Sequence, residues 1–198
     1  MKSASIAQQF VTSTIYTIVT VLLLGVAYPL VMTGIASVVF PHQSNGSLVT
    51  VGGKIVGSDL IGQLWTKPQY FNGRPSAAGK NGYDPTATGG TNLAPTSKKL
   101  IDATKATILA LRKANPKTTR PLPMDLVTSS ASGIDPDISP EAAAYQAQRI
   151  ADLRQTTLAK IDELIAAHVR RREFGILGEP HVNVLELNLA LDGLSPKY

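Results

Sequence analysis

The sequence predicts an α+β protein with one N-terminal transmembrane helix, followed by a single extracytoplasmic domain that contains a small sheet and about three helices. Three observations support this fold class. No charged residue occurs between Lys2 and Lys54, later segments repeat apolar residues at helical spacing, and the last segment alternates with the period of a strand. Strands and helices that are segregated along a chain are typical of α+β domains.

The uncharged gap contains an apolar stretch over residues 15–32. Because roughly 20 helical residues cross a hydrocarbon core of about 30 Å, residues 14–33 are predicted to span a membrane. A cleaved signal peptide is the alternative, with Gly34-Ile35-Ala36 as a small-residue cleavage site. The apolar region of a signal peptide is typically about 7 to 15 residues long. The longer run, which continues to Val39, favours an uncleaved anchor.

Lys2 is the only charged residue before the span, so the positive-inside rule places the N-terminus in the cytoplasm. The predicted division is a short cytoplasmic segment over residues 1–13, the transmembrane helix over residues 14–33 and a periplasmic α+β domain over residues 34–198. Pro29 lies near the end of the span, where it is expected to kink or terminate the helix.

The chain of 198 residues has a net charge of +5 and no cysteine. The missing cysteine excludes disulfides, a thiolate nucleophile and cysteine-ligated metals. Basic residues are concentrated in two segments, 98–120 and 170–172, which could face anionic lipid, an acidic partner or simply solvent. Neither segment is interleaved with aromatic residues, which argues against nucleic-acid binding.

The domain is predicted to begin with a hairpin, in which Leu48–Val51 and residues 54–56 flank the turn Gly52-Gly53. Residues 57–95 are rich in Gly, Pro, Ser, Thr and Asn and form a long loop region. Its embedded aromatic residues are expected to pin ordered turns to the core: Tyr70, Phe71 and Tyr83.

Three helices and a terminal strand are predicted after this loop region. Thr96 or Ser97 can cap a helix that ends before Pro116, and Ser139 precedes a proline and an acid at a second helix start. A third helix is expected near residues 157–170. Residues 182–191 alternate apolar and polar side chains, which predicts a strand.

Motifs for catalysis or metal binding are incomplete. The segment that begins at Asp135 resembles a calcium loop, but Pro140 occupies the position that requires glycine. Gly79-Lys80 lacks the other residues of a phosphate-binding loop, and the three histidines have no metal-like spacing. No catalytic residue and no metal ligand are therefore predicted, and a nucleotide site is left unassigned.

Several strings, taken together, are more specific than any of these motifs. They include FPHQSNGSL at 40–48, IVGSDLIGQ at 55–63, YFNGRPSAAG at 70–79 and YDPTATGGTNLAPTS at 83–97. DLVTSSASGIDPDISPEAAAYQAQRIA at 125–151 and GEPHVNVLELNLALD at 178–192 extend the pattern over nearly the whole chain. The sequence closely resembles the C subunits of Kdp potassium-transporting ATPases, which are bacterial uptake pumps.

This resemblance implies a non-catalytic, single-pass subunit of the inner membrane. Its implied partners are a channel-like A subunit, a P-type ATPase B subunit, a small F subunit and membrane lipids. Potassium, ATP and magnesium would be handled by the complex, with no cofactor intrinsic to this chain. The family is also described as raising the ATP affinity of the catalytic subunit. The alternative from another class is a stand-alone, membrane-anchored extracytoplasmic enzyme or binding protein.

Candidate partner contacts lie in the anchor and in the domain. Ser13, Thr17 and Thr20 recur at helical spacing and could pack against other membrane helices or bond back to their own helix, and Gly25 is a further small residue in the span.

In the domain, Tyr70, Phe71 and Arg74 are candidate partner contacts. The Arg74 guanidinium, next to the two aromatic rings, could clamp carboxylates or carbonyls of a partner, or form an internal ion pair. His181 stands where arginine is common in the family that the sequence resembles. A histidine there would weaken a bidentate contact and make it sensitive to pH.

Overall fold

The computed structural model describes residues 5–194, which divide into two compact units, one up to Ser47 and the other from Leu48 onward. The first unit contains a long helical segment, Ile6–Val39, which is apolar and long enough to cross a membrane, and the predicted span over residues 14–33 lies within it. The second unit is a mixed domain with two small sheets and several helices, which confirms the predicted fold class.

The long helix begins at Ser5, whose hydroxyl accepts the Gln8 N–H in a capping box. It consists of α1 (Ile6–Thr20), a π-helical segment (Val21–Ala27) and α2 (Tyr28–Val39), and the short helix α3 (Pro41–Ser44) follows. The expectation that Pro29 could terminate the helix is wrong, because the helix continues to Val39. In the wider π turn the Tyr28 N–H donates to the Leu23 carbonyl, and Pro29 then occupies the first turn of α2, where its missing N–H matters least.

The second unit opens with the predicted hairpin. Strand β1 (Leu48–Val51) pairs antiparallel with β2 (Lys54–Ser58). Gly52 and Gly53 both have positive φ, 58° and 80°, which is the backbone that a two-residue type I′ turn requires.

Three of the helices lie where the sequence predicts them. They are α4 (Lys98–Ala114) with Ser97 at its N-cap, α5 (Pro140–Leu153) with Ser139 as its N-cap, and α6 (Leu158–Ala167). The remaining elements are a 3₁₀ turn (Met124–Leu126), three short strands and a last helix. Their bounds are β3 (Asp137–Ile138), β4 (Val169–Arg170), β5 (His181–Asn183) and α7 (Val184–Leu191), and the three strands pair in the order β3-β5-β4.

The predicted terminal strand over residues 182–191 is wrong beyond Asn183. Residues Val184–Leu191 form helix α7, in which the Asn183 side chain accepts the Glu186 N–H as an N-cap. Leu187 is buried in the main core, whereas Leu185 is buried on the other side with the hairpin. A helix that is buried on two faces has apolar residues at more positions than a helix with a single apolar stripe. In residues 184–191 these extra apolar positions resemble the alternation of a strand.

The main core lies between α5, α6, α7 and the three-stranded sheet. Its largest fully buried side chains include Phe71, Ile150 and Leu187. Phe71 comes from the long loop, and its backbone N–H and C=O both bond to the side-chain amide of Asn188, at 2.8 and 3.0 Å. The loop is therefore fixed to the core as expected, and its folded path determines the site described next.

Candidate functional site

The candidate site is built by the loop that carries Arg74. Ser76 fixes this loop, because its hydroxyl donates to the Gly133 carbonyl at 2.5 Å and accepts the Tyr83 N–H at 2.7 Å. Tyr83 has a positive φ of 57°, and its hydroxyl donates to the Arg74 carbonyl at 2.6 Å. Burial raises the pKa of Tyr83 to about 12, so the hydroxyl keeps its proton and this bond at neutral pH.

The Arg74 guanidinium makes an ion pair inside the domain. Its Nη1 atom lies 3.0 Å from Oδ2 of Asp135, and its Nη2 atom lies at the longer distance of 3.5 Å from the Ser129 carbonyl. The side chains of Arg74 and Asp135 are 28% and 26% exposed. The internal ion pair, one of the two interpretations of Arg74, is thus formed. It occupies only part of the guanidinium, since the buried Nε atom has no acceptor among the described residues.

A cavity of about 380 Å³ lies beside this guanidinium. It is lined by loop residues, which include Trp65, Arg74 and Tyr83, and by residues of α4, which include Thr107 and Leu111. We call this cavity the Arg74 groove. The Trp65 Nε1 atom, which also belongs to the groove residues, is buried and lacks an acceptor within the described part of the chain. Two of the residues that line the groove therefore each carry a covered N–H donor that has no acceptor among the described residues.

Helix α4, which contributes to the groove wall, has an excess of positive charge on residues outside the groove lining. It carries five basic residues, Lys98, Lys99, Lys105, Arg112 and Lys113, and the single acid Asp102. None of its residues is buried, although Leu111 packs against the main core. Lys98 is paired with Asp102, so the net positive charge of the helix comes from its remaining basic residues.

The other residues predicted as domain contacts occupy different places. Phe71 is 0% exposed, so the prediction that it contacts a partner is corrected: its side chain fills the core. The Tyr70 hydroxyl donates to Oδ2 of Asp192 at 2.6 Å, and the Arg154 guanidinium lies 5.0 Å from the centre of the Tyr70 ring. Tyr70 thus ties the loop to the end of α7.

His181 belongs to the three-stranded sheet, away from the residues that form the Arg74 groove. Its Nε2 atom is 4.0 Å from Oδ2 of Asp137 on the neighbouring strand. Burial raises the pKa of the Asp137 carboxyl, an effect that His181 opposes, and the Asp137 Oδ1 atom has no hydrogen-bond donor among residues 5–194.

Sequence reasoning missed the ion cluster around Arg170, which it grouped with the basic segment 170–172. The Arg170 guanidinium lies 3.0 Å from Asp59 and 2.8 Å from Glu186, while Arg172 pairs with Glu179 at 2.6 Å. Asp59 is 111 residues from Arg170 along the chain, so no local pattern indicates this pairing.

The membrane-helix candidates belong to the first unit. Ser13, Thr17 and Gly25 are exposed in the first unit. The Thr20 hydroxyl donates to the Tyr16 carbonyl at 2.8 Å, so this residue bonds back to its own helix.

Within residues 5–194, no three His, Asp or Glu side chains are grouped as a metal site would require. One apolar helix that is long enough to cross a membrane, followed by a mixed domain, fits a single-pass membrane-anchored protein. Comparison with known proteins identifies the family. A family model described as "KdpC: K+-transporting ATPase, c chain" matches residues 10–193, and the chain belongs to this family.

Relatives named "Potassium-transporting ATPase KdpC subunit" agree over most of their length. The chain is 53% identical over 169 residues to the protein of Polynucleobacter asymbioticus, which covers 85% of this chain and 89% of the relative. It is 48% identical over 190 residues to that of Koribacter versatilis, which covers 96% of each. The protein is thus a subunit of a potassium-transporting ATPase, rather than the stand-alone anchored protein that the sequence left as an alternative.

Proposed function

We propose that this chain is a non-catalytic subunit that assembles and stabilises an ATP-driven potassium uptake pump. The observation that carries this proposal is the family match over residues 10–193, which includes both the apolar helix and the domain. In this proposal the chain contacts a channel-like A subunit, a P-type ATPase B subunit and a small F subunit. Those subunits handle potassium, ATP and magnesium.

The proposed orientation puts the N-terminus in the cytoplasm and the domain outside the inner membrane. It is supported by Lys2, the only charged residue before Lys54. With this orientation the helix is the part of the chain that contacts partner helices, through small and hydroxyl side chains such as Ser13, Thr17 and Gly25. The domain would then lie on the extracytoplasmic face of the channel-like subunit.

An effect on the ATP affinity of the catalytic subunit would have to be indirect. ATP is bound and hydrolysed in the cytoplasm, and a domain on the other side of the membrane cannot contact it. Coupling would therefore pass through the helix or through the channel-like subunit, as a difference in how tightly this chain binds two states of the pump.

Deletion and co-purification test the assembly role. Membranes that express all subunits with a tagged B subunit are solubilised in mild detergent, with and without this chain. We expect this chain to co-purify, and its deletion to lower both the yield of intact complex and potassium-stimulated ATP hydrolysis. A chain that purifies alone, together with unchanged activity after deletion, would contradict the proposal.

A helix swap separates the two parts of the chain. Residues 6–39 are replaced by an unrelated apolar helix of the same length, and the domain is kept. Loss of co-purification would assign assembly to the helix, and full retention would assign it to the domain.

A further inference from the structure

The part-buried arginines of the domain differ in how completely their donors are used. Arg149 and Arg154 each bond through all three guanidinium nitrogens. Arg120 holds Asp162 through two parallel bonds of 2.9 and 2.7 Å. Arg74 is different, because Asp135 takes Nη1 and the Nε atom has no acceptor in the described part of the chain.

The unused side of Arg74 is suited to a carboxylate. The Nε and Nη2 atoms form one edge of the guanidinium, and a carboxylate can accept two parallel bonds from such an edge. Nη2 has only the 3.5 Å contact with the Ser129 carbonyl and Nε has no acceptor among the described residues, so this edge lacks a close hydrogen-bond partner, although Nε is covered by neighbouring atoms. Arg170 shows that one arginine of this domain can hold two carboxylates at once, those of Asp59 and Glu186.

Trp65 adds a second donor to the same groove. Its indole N–H is buried without an acceptor, and a buried unpaired donor costs about 1 to 3 kcal/mol. The orphaned polar side-chain atoms among the groove residues are both donors, the Trp65 Nε1 and the Arg74 Nε, within the part of the chain that the structure describes. A ligand that completes this site must therefore supply acceptors.

Charge and size indicate what kind of acceptor fits. The groove has a volume of about 380 Å³, which accommodates a few residues of an extended peptide, and the charged residue of its lining is the cation Arg74. The basic residues of α4 lie outside the lining and add positive charge to the same helix. Leu111, Leu64 and Pro75 supply apolar lining. An acidic segment with neighbouring apolar side chains matches this combination better than a small inorganic anion does.

We propose that the Arg74 groove binds an acidic peptide segment of another protein, whose carboxylate accepts from the Arg74 Nε–Nη2 edge while a second oxygen accepts from the Trp65 indole. Binding requires a small separation of the groove walls, since both N–H groups are covered in the free domain. This proposal rests on the proposed function in one respect, namely that the partner belongs to an assembled pump. The groove can be measured on the chain alone, so failure of either proposal is recognisable separately.

Trp65 is the only tryptophan of the chain, so its indole reports on the groove directly. The full chain in detergent is labelled with ¹⁵N, and its one indole N–H resonance is followed during titration. The probe is an acetylated, amidated octapeptide of alternating glutamate and leucine, and the control probe has glutamine in place of glutamate. We expect saturable downfield movement with the glutamate peptide and at least fivefold weaker binding of the glutamine peptide.

Adjacent positions of α4 provide a matched pair of variants. Thr107 lines the groove, whereas Ala106 is exposed and is absent from its lining. Thr107→Glu places a carboxylate within the groove and is expected to abolish peptide binding, whereas Ala106→Glu changes the net charge equally and should reduce affinity less than twofold. Both substitutions keep Arg74 and Asp135, and glutamate is a good helix former at both positions, so folding is expected to be preserved.

Arg74→Lys tests the bidentate contact, because lysine keeps the charge but has no second parallel donor. We expect at least fivefold weaker binding, while Arg171→Lys on the exposed surface should bind as the natural chain does. Equal affinity for the two peptides, equal loss for the two glutamate variants, or unchanged binding by Arg74→Lys would each overturn the proposal. Binding of free glutamate as tightly as the peptide would also overturn it, because a carboxylate alone would then suffice.

Discussion

Arg170 and Arg74 are both part-buried arginines of the same domain, but their ion clusters are built differently. The Arg170 guanidinium lies between Asp59, just after β2, and Glu186 of α7, whose side chains are only 15% and 14% exposed. Arg74 has one carboxylate partner among the described residues, Asp135, at 26% exposure, and it borders a cavity. The Arg170 guanidinium holds two carboxylates from distant parts of the chain, whereas the Arg74 guanidinium holds one and keeps a buried Nε without an acceptor in the described part of the chain. The first is suited to stability and the second to binding.

Substitution of Arg170 is expected to give the largest loss of stability. Arg170→Met leaves two nearly buried carboxylates facing one another without a cation, and removal of one member of a buried ion group costs several kcal/mol. Because Arg170 is itself 40% exposed, we expect a loss of about 3 kcal/mol in the free energy of unfolding. Urea unfolding of the full chain in detergent, followed by Trp65 fluorescence, measures it.

Two controls accompany that measurement. Arg171→Met removes an equal charge from the exposed neighbouring position and should change stability by less than about 0.5 kcal/mol. The triple variant Arg170→Met, Asp59→Asn, Glu186→Gln should recover part of the loss, since it removes the unpaired charges as well. Equal stability of Arg170→Met and Arg171→Met would show that the cluster contributes nothing.

A smaller effect is expected at the Arg74 cluster. Arg74→Met removes the cation that pairs with Asp135, which destabilises the domain, although Asp135 keeps partial access to water. The same substitution removes a buried Nε–H that has no acceptor among the described residues, which stabilises the domain, so the two effects on the free energy of unfolding oppose each other. We expect a loss of about 1 kcal/mol, measured by the same urea unfolding, together with loss of acidic-peptide binding. A stability loss as large as that of Arg170→Met would mean that Arg74 is primarily structural, and the contrast would fail.

The two clusters also differ in what the sequence could predict. Arg74 stands in a distinctive string next to aromatic residues, so a role beyond packing was predicted, and the internal ion pair was one of its two interpretations. The partners of Arg170 come from distant parts of the chain, and pairing across such separations is set by tertiary packing, which no local spacing encodes.

The same distinction applies to the fold. The hairpin and the helices α4 to α6 were predicted because turn glycines, caps and periodicity are local signals. Helix α7 was missed because its leucines are buried on two faces. Phe71 was predicted to pin the loop to the core but was also counted among the partner contacts, because its full burial depends on the distant Asn188. Burial on both sides of an element depends on its neighbours, and the sequence of that element alone does not reveal it.

The smallest expected effect concerns pH, at Asp137 beside the Arg170 cluster. Burial raises the pKa of the Asp137 carboxyl, Asp135 and Asp59 add to this, and His181 and Arg170 oppose it. A carboxyl whose pKa is raised by folding binds its proton more tightly in the folded state. Protonated Asp137 therefore adds to the free energy of unfolding at low pH. This contribution is lost as the pH rises from the ordinary aspartate pKa through the raised pKa of the folded state.

Asp137→Asn removes this titration and replaces an unpaired, buried oxygen by a neutral amide. We expect the variant to be more stable than the natural chain at pH 7 by up to about 1 kcal/mol, with the difference disappearing near pH 4. Urea unfolding between pH 4 and 8 measures it, and Asp102→Asn on the exposed face of α4 is the control. A variant that is less stable at pH 7 would instead show that the ionised Asp137 is held by His181 and Arg170 as a third acid of the Arg170 cluster. Asp137 would then belong to the Arg170 cluster only when it is ionised, so the number of charges in that cluster would depend on pH.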